Sequence, residues 1–443
     1  MMRGGARGVG GGGFEVARRS AQLLVGVWLI GCAAGSSERT EINAPAEVAA
    51  ALAAPAVAEV ANSGSTEPPN LRERGLRVRI ALFNVKELTT EKILDLDERG
   101  RGRHPQLRAA AEIIRSVRPD ILVLQEIDHD YASVFEGLDV NARRFASHYL
   151  SQGDDGVDYE FAYAAPNNTG LPSGHDLDND SYVATIEDRG TRRYGGDCFG
   201  YGEYQGQYSM AVLSRYALDP FRARTFQRFL WRDLPGNHLP AGFYSEEELA
   251  LLPLSSKSHW DLTLAIDGRE LSLWVCHPTP PVFDGPEDRN GRRNCDEIGF
   301  WVAYLDEVEA IQDDRGFRGG ARPGVPFVIV GDLNAYPGSR EGYYDGRAAI
   351  APLLAHPRVQ DPGAWVTRCG PEIASTLGSA ELQRAQATAE FAGGVRVDYV
   401  LPSRELQIVG GGVYWPSTDT DPAGAARAET ASDHRLVWLD LTW

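Results

Sequence analysis

The sequence is poor in cysteine, in long apolar runs and in positive charge. Its 443 residues contain five cysteines, and no pair of them has the close spacing of a structural zinc site. After the N-terminal leader, no segment is long and apolar enough to cross a bilayer. No internal repeat is visible, which leaves a single large domain as the simplest organisation of the chain.

Acidic side chains outnumber basic ones by 62 to 44, so the formal net charge is −18. Removal of residues 1–31 takes away four arginines and one glutamate, which leaves 40 basic and 61 acidic groups, a net charge of −21. Such a charge disfavours long-range capture of DNA or RNA, because that affinity depends largely on basic contacts with phosphates. A nuclease stays open as an alternative, since bound cations and a local basic rim can offset the distant field.

The N-terminus has the features of an export signal. Arg18 and Arg19 precede a short apolar stretch that ends at Cys32, as in a secretory signal over residues 1–31. Because the sequence Leu-Ile-Gly-Cys at 29–32 resembles a bacterial lipobox, we expect Cys32 to be lipidated. A plain signal peptide with an incidental Cys32 is the alternative.

Residues 32–74 are rich in alanine, proline and serine and predict a flexible tether. We therefore expect an exported protein, either secreted or lipid-anchored at the cell envelope, with Ala33 favouring the outer membrane. Four cysteines follow the tether, and two disulfides are possible in an exported chain. We favour a Cys276–Cys295 bridge, which would leave Cys198 and Cys369; a reduced, buried Cys276 is the alternative.

Several apolar runs end in a polar residue. A continuous Val/Ile/Leu run is typical of a strand buried on both faces, and the end of such a strand can present a catalytic group. The groups in question are carboxylates, carboxamides and imidazoles, which are what a divalent-metal phosphoesterase needs. They are Asn84 in IALFNV, Gln125 and Glu126 in ILVLQE, His277 in LWVCHP, Asp332 and Asn334 in VIVGDLNA, Asp398 in VRVDYVL, and Asp433 and His434 before RLVWLDL.

Apolar periodicity predicts strands and helices in a mixed order. The predicted helices cover 105–117 and 296–312. The predicted strands cover 77–85, 121–126, 209–214, 259–266, 272–277, 327–333, 397–401 and 435–441. This mixture indicates an α/β sandwich of two packed sheets with outer helices.

In order and wording, these motifs resemble the endonuclease/exonuclease/phosphatase superfamily, which includes DNase I. The resemblance spans residues 77–443, and its short motifs gain specificity from occurring in the right order. It implies a DNase I-like four-layer α/β sandwich, in which two packed mixed β-sheets are flanked by helices. Residues 75–443 would form this catalytic domain.

The resemblance implies that Glu126 is a metal ligand, assisted by Asn84 and Asp433. Mg²⁺ is the expected cation, with Mn²⁺ or Ca²⁺ as alternatives. A carboxylate after an apolar strand must be paired, solvated or metal-bound, because burying it alone is costly. A salt bridge at the sheet edge is the alternative for Glu126, and a strand-capping turn is the alternative for Asn84.

The same resemblance gives Asp332 the task of positioning or deprotonating the attacking water and gives Asn334 a contact with phosphate or water. On an extended chain the two side chains would point to the same side, although GDLNAYPG is also a good turn sequence. Gly331 would let the backbone approach the substrate phosphate closely.

By resemblance, Asp398 orients His434 and keeps it cationic beside phosphate. His277 would bind phosphate and stabilise the transition state. The wording around His277 is Cys-His-Pro rather than the commoner Thr-His-Leu, so we expect the loop after it to be built differently.

Two further segments have open interpretations. The segment after His277 is expected either to bind substrate phosphate or to form a solvated charged loop; its candidates are Arg289, Arg292, Arg293 and Asn294. Asp176, Asp178 and Asp180 resemble the start of a calcium loop but lack its glycine and its final glutamate.

Together these features predict an exported, monomeric, metal-dependent enzyme that hydrolyses a phosphodiester by in-line attack of water. A phosphomonoesterase and an extracellular nuclease of the same fold are the alternatives, with nucleic acid as substrate in the second case. A non-catalytic surface binding module is the alternative of another class.

Overall fold

The computed structural model describes residues 77–443, which fold around two β-sheets. The predicted signal peptide, tether and lipidated Cys32 lie outside the described residues. Among the described residues, no helix combines the length and the apolar character that a membrane span requires.

Within residues 77–443, thirteen strands and ten α-helices follow one another in mixed order. The strands are β1 (Arg77–Leu88), β2 (Ile121–Ile127), β3 (Phe161–Tyr163), β4 (Ser209–Ser214), β5 (Ala217–Thr225), β6 (His259–Ile266), β7 (Arg269–Cys276), β8 (Phe327–Asp332), β9 (Tyr343–Tyr344), β10 (Arg347–Ala348), β11 (Asp398–Pro402), β12 (Gln407–Val413) and β13 (Val437–Thr442). The helices are α1 (Thr90–Ile93), α2 (Pro105–Val117), α3 (Val140–Phe145), α4 (Arg192–Gly196), α5 (Glu246–Leu249), α6 (Arg289–Leu305), α7 (Ala351–Ala355), α8 (Gly370–Ala374), α9 (Ser379–Ala385) and α10 (Pro422–Ala431). Shorter helical turns span Tyr131–Glu136, Ala146–Leu150, Ile186–Asp188, Trp231–Asp233, Gly363–Trp365 and Phe391–Gly393.

Both large sheets are mixed. The first has the order β12-β13-β1-β2-β4-β3, and its parallel pair is β1 with β2. The second has the order β11-β8-β7-β6-β5, and its parallel pair is β7 with β8. The short strands β9 and β10 form a separate two-stranded ribbon. Glu126 lies at the carboxyl end of β2 and Asp332 at that of β8, so both sheets supply carboxylates to the predicted site.

The two sheets pack face to face, and helices cover their outer faces. Ile80 and Val123 of the first sheet share one buried cluster with Leu273 and Val330 of the second. The outer face of the first sheet packs against α2, and that of the second packs against α6. Each fully buried aliphatic side chain of these layers stabilises the fold by about 1.5–3 kcal/mol. The predicted four-layer α/β sandwich is confirmed.

Most predicted strands agree with the structure to within a few residues, and β4 and β6 agree at both ends. The predicted helix at 296–312 is wrong in position, because α6 spans Arg289–Leu305. Asp288, with a left-handed φ of 55°, precedes its first turn, and Glu307, with φ of 56°, turns the chain after its last turn. The segment that follows His277 therefore enters a helix at Arg289 rather than continuing as a loop.

The predicted Cys276–Cys295 bridge is wrong. All four cysteines of the described residues are free thiols. Cys276 ends β7 in a fully buried position, where its sulfur accepts a hydrogen bond from the Trp301 indole nitrogen at 3.0 Å. The sulfur is therefore used in packing between β7 and α6, which is the reduced alternative considered from the sequence.

Gln125 links the two sheets at the end of β2. Its side chain is fully buried; Nε2 donates to the Cys276 carbonyl at 2.6 Å, and Oε1 accepts from the Asp332 backbone N–H at 2.7 Å. Since Cys276 ends β7 and Asp332 ends β8, one carboxamide fixes three strand ends relative to each other. The residues next to these contacts are Glu126, His277 and Asp332 itself.

We expect Gln125→Met to lower the free energy of unfolding by about 2–4 kcal/mol. The substitution leaves the Cys276 carbonyl and the Asp332 N–H buried without a partner, and each such group costs about 1–3 kcal/mol. Urea unfolding followed by circular dichroism measures the change. Gln383 is exposed on α9, so Gln383→Met is the matched control and should stay within about 0.5 kcal/mol of the wild type. Equal stability of the two variants would contradict the role of Gln125 in joining the sheets.

Candidate active site

Asp398 and His434 form a buried pair at the ends of neighbouring segments. The Nδ1 atom of His434 lies 2.9 Å from Oδ2 and 3.2 Å from Oδ1 of Asp398. Burial alone would lower the His434 pKa, but the carboxylates of Asp398 and Asp332 outweigh burial and raise that pKa to about 10. His434 is therefore a cation at neutral pH, as the resemblance implied.

Asp332 occupies the centre of the site and is 1% exposed. Its Oδ2 atom lies 3.5 Å from Nε2 of His277 and 3.7 Å from Nε2 of His434, and it accepts the Asn84 amide at 3.1 Å. Burial raises the Asp332 pKa, and the His434 cation opposes that rise. A desolvated carboxylate between two imidazoles is well suited to accept a proton.

His277 differs from His434 in charge. It follows β7, is 3% exposed, and its pKa is held well below the usual range by burial, with Lys257 and cationic His434 acting in the same direction. Its Nδ1 atom has no hydrogen-bond partner among the residues that the structure describes. Asp332 thus stands between one neutral and one cationic imidazole.

Asn334 follows Asp332 in a turn rather than on an extended strand. Asn334 has a φ of +50°, and its backbone N–H donates to Oδ1 of Asp332 at 3.0 Å. Its side-chain amide donates to the Pro278 carbonyl at 3.1 Å. The expectation of an extended chain is wrong here, and the Asx-turn alternative describes the contact. A Cβ on Gly331 would overlap the Cys276 carbonyl oxygen, so glycine is needed here for packing against the end of β7. The predicted close approach of this backbone to substrate phosphate stays a prediction.

Glu126 is partly buried and turns out of β2 towards Asn84. Its backbone has a left-handed φ of +60°, and the register of β2 against β4 shifts between Gln125 and Ile127. Its carboxylate accepts the Asn84 amide at 3.1 Å and the Glu87 N–H at 3.1 Å. Because Asn84 also donates to Asp332, one amide holds both carboxylates.

The Asp433 carboxylate lies beside Lys86. Its Oδ2 atom forms an ion pair with Nζ of Lys86 at 2.8 Å. Burial opposes ionisation of Asp433, but the contact with Lys86 and the charge of His434 lower its pKa below the usual range. The structure places Asp433 beside an internal cation, so its predicted metal contact stays a prediction. Lys86 lies two residues after Asn84, and none of the sequence motifs singled it out.

The arginine-rich segment after His277 lies on α6. Arg293 and Asn294 are buried: Arg293 donates to the carbonyls of Leu254 and Pro253, and Asn294 donates to the carbonyls of Thr279 and Leu333. These contacts support the loops around the site. Arg289 pairs with Glu287, and Arg292 donates to the backbone of Glu287. A direct contact of these four residues with substrate stays a prediction.

The acidic run at 176–180 forms a partly exposed turn. Carboxylate oxygens of Asp176, Asp178 and Asp180 lie within 4.8 Å of one another. Asp176 and Asp178 accept the Asp180 N–H, and Asp180 pairs with Arg193 at 3.3 Å. These local contacts account for the cluster, and calcium binding stays open.

The site can hold a divalent cation. The Glu126 carboxylate accepts only neutral N–H donors, and no ion pair neutralises it within residues 77–443. Ligand atoms of Asp332, Asp398 and His434 also lie within 4.8 Å of one another, but a protonated His434 ring donates from both nitrogens and offers no lone pair to a cation. Hard carboxylate oxygens beside an amide suit Mg²⁺, Mn²⁺ or Ca²⁺. Glu126 is the strongest candidate ligand because, among residues 77–443, no cationic side chain contacts its carboxylate directly.

Solved structures with similar folds have low sequence identity to this chain. An endonuclease/exonuclease/phosphatase protein from Beutenbergia cavernae DSM 12333 is 17% identical, with 83% of this chain and 71% of that chain covered and a TM-score of 0.42. The catalytic domain of human Nocturnin with a bound sulfate anion is 15% identical over 83% and 95% of the chains, with a TM-score of 0.41. TDP2 from C. elegans is 14% identical over 83% and 75%, with a TM-score of 0.38.

No curated protein matches the chain. The sequence model of the endonuclease/exonuclease/phosphatase family, by contrast, matches residues 81–434. This range begins just before Asn84 and ends at His434, so it contains every side chain that the structure brings together at the site. The chain belongs to the endonuclease/exonuclease/phosphatase family.

Proposed function

We propose that this protein is a divalent-metal-dependent hydrolase that cleaves a phosphodiester by in-line attack of water. The observation that carries the proposal is the buried Asp332 carboxylate between neutral His277 and cationic His434. A carboxylate with a raised pKa accepts a proton from water near neutral pH more readily than an exposed one. A fixed imidazolium beside it meets the negative charge of a phosphoryl group without reorganisation.

Each residue of the site has a separate role in the proposed reaction. Asp332 accepts the proton of the attacking water, and the Asn84 amide and the Asn334 backbone N–H hold its carboxylate in place. His434 stabilises charge on the phosphoryl oxygens, while Asp398 fixes its ring and keeps it protonated. His277 lies on the other side of Asp332 and assists the leaving oxygen, and Asn334 contacts the phosphate or the water.

A divalent cation would be held by Glu126, with Asn84 as its neighbour. When bound, it supplies positive charge that neutralises the phosphoryl oxygens and lowers the pKa of water. Mg²⁺ is our first choice, and Mn²⁺ and Ca²⁺ are the alternatives, since all three prefer oxygen ligands. Cation binding would also offset the repulsion between the carboxylates of Glu126 and Asp332, which share one amide.

The net charge of −18 and the rebuilt segment after His277 favour a small phosphodiester or a phospholipid head group over nucleic acid. A phosphomonoester is the second candidate. The N-terminal sequence supports export as a monomer that is anchored through lipidated Cys32 or secreted.

The direct test is hydrolysis by the purified full-length protein with Mg²⁺, Mn²⁺ or Ca²⁺. The substrates are bis-p-nitrophenyl phosphate, p-nitrophenyl phosphate and plasmid DNA. We expect cleavage of the diester, abolished by EDTA and restored by added cation, because a metal is needed to offset the charge of the site. Faster cleavage of the monoester would make phosphomonoesters the substrate class, and faster cleavage of DNA would make it nucleic acid. No cleavage of any ester would favour the non-catalytic binding module.

We expect Asp332→Asn to reduce kcat/KM by at least about 10²-fold, because the amide keeps the shape of the side chain but cannot accept the proton. Burial raises the Asp332 pKa, so the neutral amide should not lower the melting temperature appreciably. Asp154 is exposed in the loop after Ser151, and Asp154→Asn is the matched control with unchanged kinetics. Wild-type turnover in Asp332→Asn would rule out this residue as the base.

The pH profile of Asp398→Asn tests the charge of His434. A raised pKa keeps the imidazolium charged below about pH 10, and the charge is lost as pH rises through that value. Loss of the Asp398 anion should therefore move the alkaline limb of kcat/KM to lower pH. Steady-state kinetics between pH 6 and pH 11 measure the limb, again with Asp154→Asn as control. An alkaline limb that does not move would show that the Asp398 charge does not govern the essential acid.

A further inference from the structure

A second group of metal-ligating side chains lies outside the active site. A ring nitrogen of His238, the sulfur of Cys295 and a carboxylate oxygen of Asp296 all lie within 4.8 Å of one another. His238 belongs to the loop between the turn Trp231–Asp233 and α5, whereas Cys295 and Asp296 belong to α6. The proposed reaction uses none of these three side chains, so their proximity needs a separate explanation.

Asp296 holds the His238 ring from one side. Its buried carboxylate accepts the Trp231 indole N–H and the His238 backbone N–H, each at 2.6 Å, and lies 2.6 Å from Nδ1 of His238. Because an ionised carboxylate only accepts, Nδ1 carries the hydrogen and Nε2 is the nitrogen that can bind a cation. A carboxylate behind the ring is also the usual support of a metal-binding histidine.

Asp345 faces the other nitrogen of the same ring. It lies in the turn between β9 and β10, and its Oδ2 atom is 3.4 Å from Nε2 of His238. A nitrogen and an oxygen that a tetrahedral zinc ion holds at about 2.0–2.1 Å are about 3.3 Å apart. The observed separation therefore fits two ligands of one ion. The Asp345 side chain is 73% exposed, so an ion can reach it from solvent.

Cys295 brings a sulfur to the same place. The sulfur of each other cysteine within residues 77–443 makes a hydrogen bond. The Cys295 sulfur makes none with these residues, although its side chain is partly buried. It is therefore available as a ligand.

We propose that Nε2 of His238, the sulfur of Cys295 and the Asp345 carboxylate bind a zinc ion, and that Asp296 positions the imidazole ring. One nitrogen, one sulfur and one oxygen ligand favour zinc over Mg²⁺ or Ca²⁺, which prefer oxygen alone. Binding requires the thiolate, so the thiol proton is released to solvent when the ion enters. The site is separate from Glu126 and does not depend on the proposed hydrolase function.

Bound zinc would join the β9–β10 ribbon to α6 beside the active site. The first turns of α6 support the segments that follow His277 and Asp332, because Asn294 donates to the carbonyls of Thr279 and Leu333. Asn294 directly precedes the cysteine ligand. The ion would therefore stabilise the helix on which both catalytic segments rest. Spacing of ligands in the sequence cannot reveal such a site, because its three ligands come from three separate segments.

An ion pair of a protonated His238 with Asp296 and Asp345 is the alternative explanation of the two ring contacts. It gives Cys295 no role, and a divalent cation would compete with it rather than strengthen it. The two explanations therefore differ in whether Cys295 contributes to cation binding.

The experiment uses the full-length protein under reducing conditions, freed of metal with EDTA and then supplied with excess Mg²⁺ to occupy sites made of oxygen alone. Zn²⁺ affinity is measured by competition with a chromophoric chelator, and Co²⁺ is added separately, because thiolate-to-cobalt charge-transfer absorption reports a sulfur ligand. We expect one tightly bound Zn²⁺ per chain, a cobalt–thiolate absorption and a melting temperature that rises with Zn²⁺.

Three variants identify the ligands. Cys295→Ser should lose the cobalt–thiolate absorption and bind Zn²⁺ at least about 10²-fold more weakly, because it removes a direct ligand. Asp345→Asn should keep the absorption and bind Zn²⁺ at least about tenfold more weakly. Cys369→Ser replaces another partly buried cysteine and should match the wild type in both measurements.

Absence of the cobalt–thiolate absorption from the wild type, or its retention in Cys295→Ser, would overturn the inference. Zn²⁺ affinity unchanged in both Cys295→Ser and Asp345→Asn would also overturn it and place the ion elsewhere, for example at Glu126. Circular dichroism of the metal-free variants checks their folding. Because the Asp345 side chain is exposed, Asp345→Asn tests the site even if Cys295→Ser does not fold. All of these measurements are independent of ester hydrolysis.

Discussion

The buried carboxamide of Gln125 is the contact on which the site geometry depends. It ties the end of β2 to the ends of β7 and β8, so a side chain from the first sheet sets the position of two strands in the second. The apolar layer between the sheets supplies most of the stabilisation, but such packing is non-directional. Two hydrogen bonds to a single amide are directional, and they fix how far one sheet can slide over the other. Glu126, His277 and Asp332 all take their places from this link.

The site concentrates opposite charges in a buried region. Asp332 and Asp398 are buried with His434, and each charge would be costly to bury without the others. The arrangement is held by backbone and amide donors, such as the Asn84 side chain shared by Glu126 and Asp332. Preorganised charges of this kind stabilise a transition state at little cost during the reaction, because the cost of burying them is met when the protein folds.

The sequence predicted the strands well because their apolar runs are continuous, as in β4 and β6. The order of the motifs singled out Asp332, Asp398 and His434, which the structure brings together. It misplaced α6 because the first turns of that helix bury polar groups such as Asn294, which periodicity of apolar residues cannot detect. It assumed an extended chain at Asn334, where the backbone is left-handed. The sequence also did not predict the Lys86–Asp433 pair or the burial of Lys257, because both depend on contacts between segments that are far apart in sequence.

The position of β13 has a consequence for the order in which the protein can become active. β13 follows His434 and lies inside the first sheet between β12 and β1, where Thr442 pairs with Arg77. The first and last strands of the described residues are therefore neighbours. Pairing across such a sequence distance has a high loop-closure cost and slows folding. During synthesis, β1 and β2 can form early, but the centre cannot assemble until the segment through β13 has left the ribosome. Assembly of the site therefore requires the strand that follows His434 as well as the strands that carry the earlier motifs.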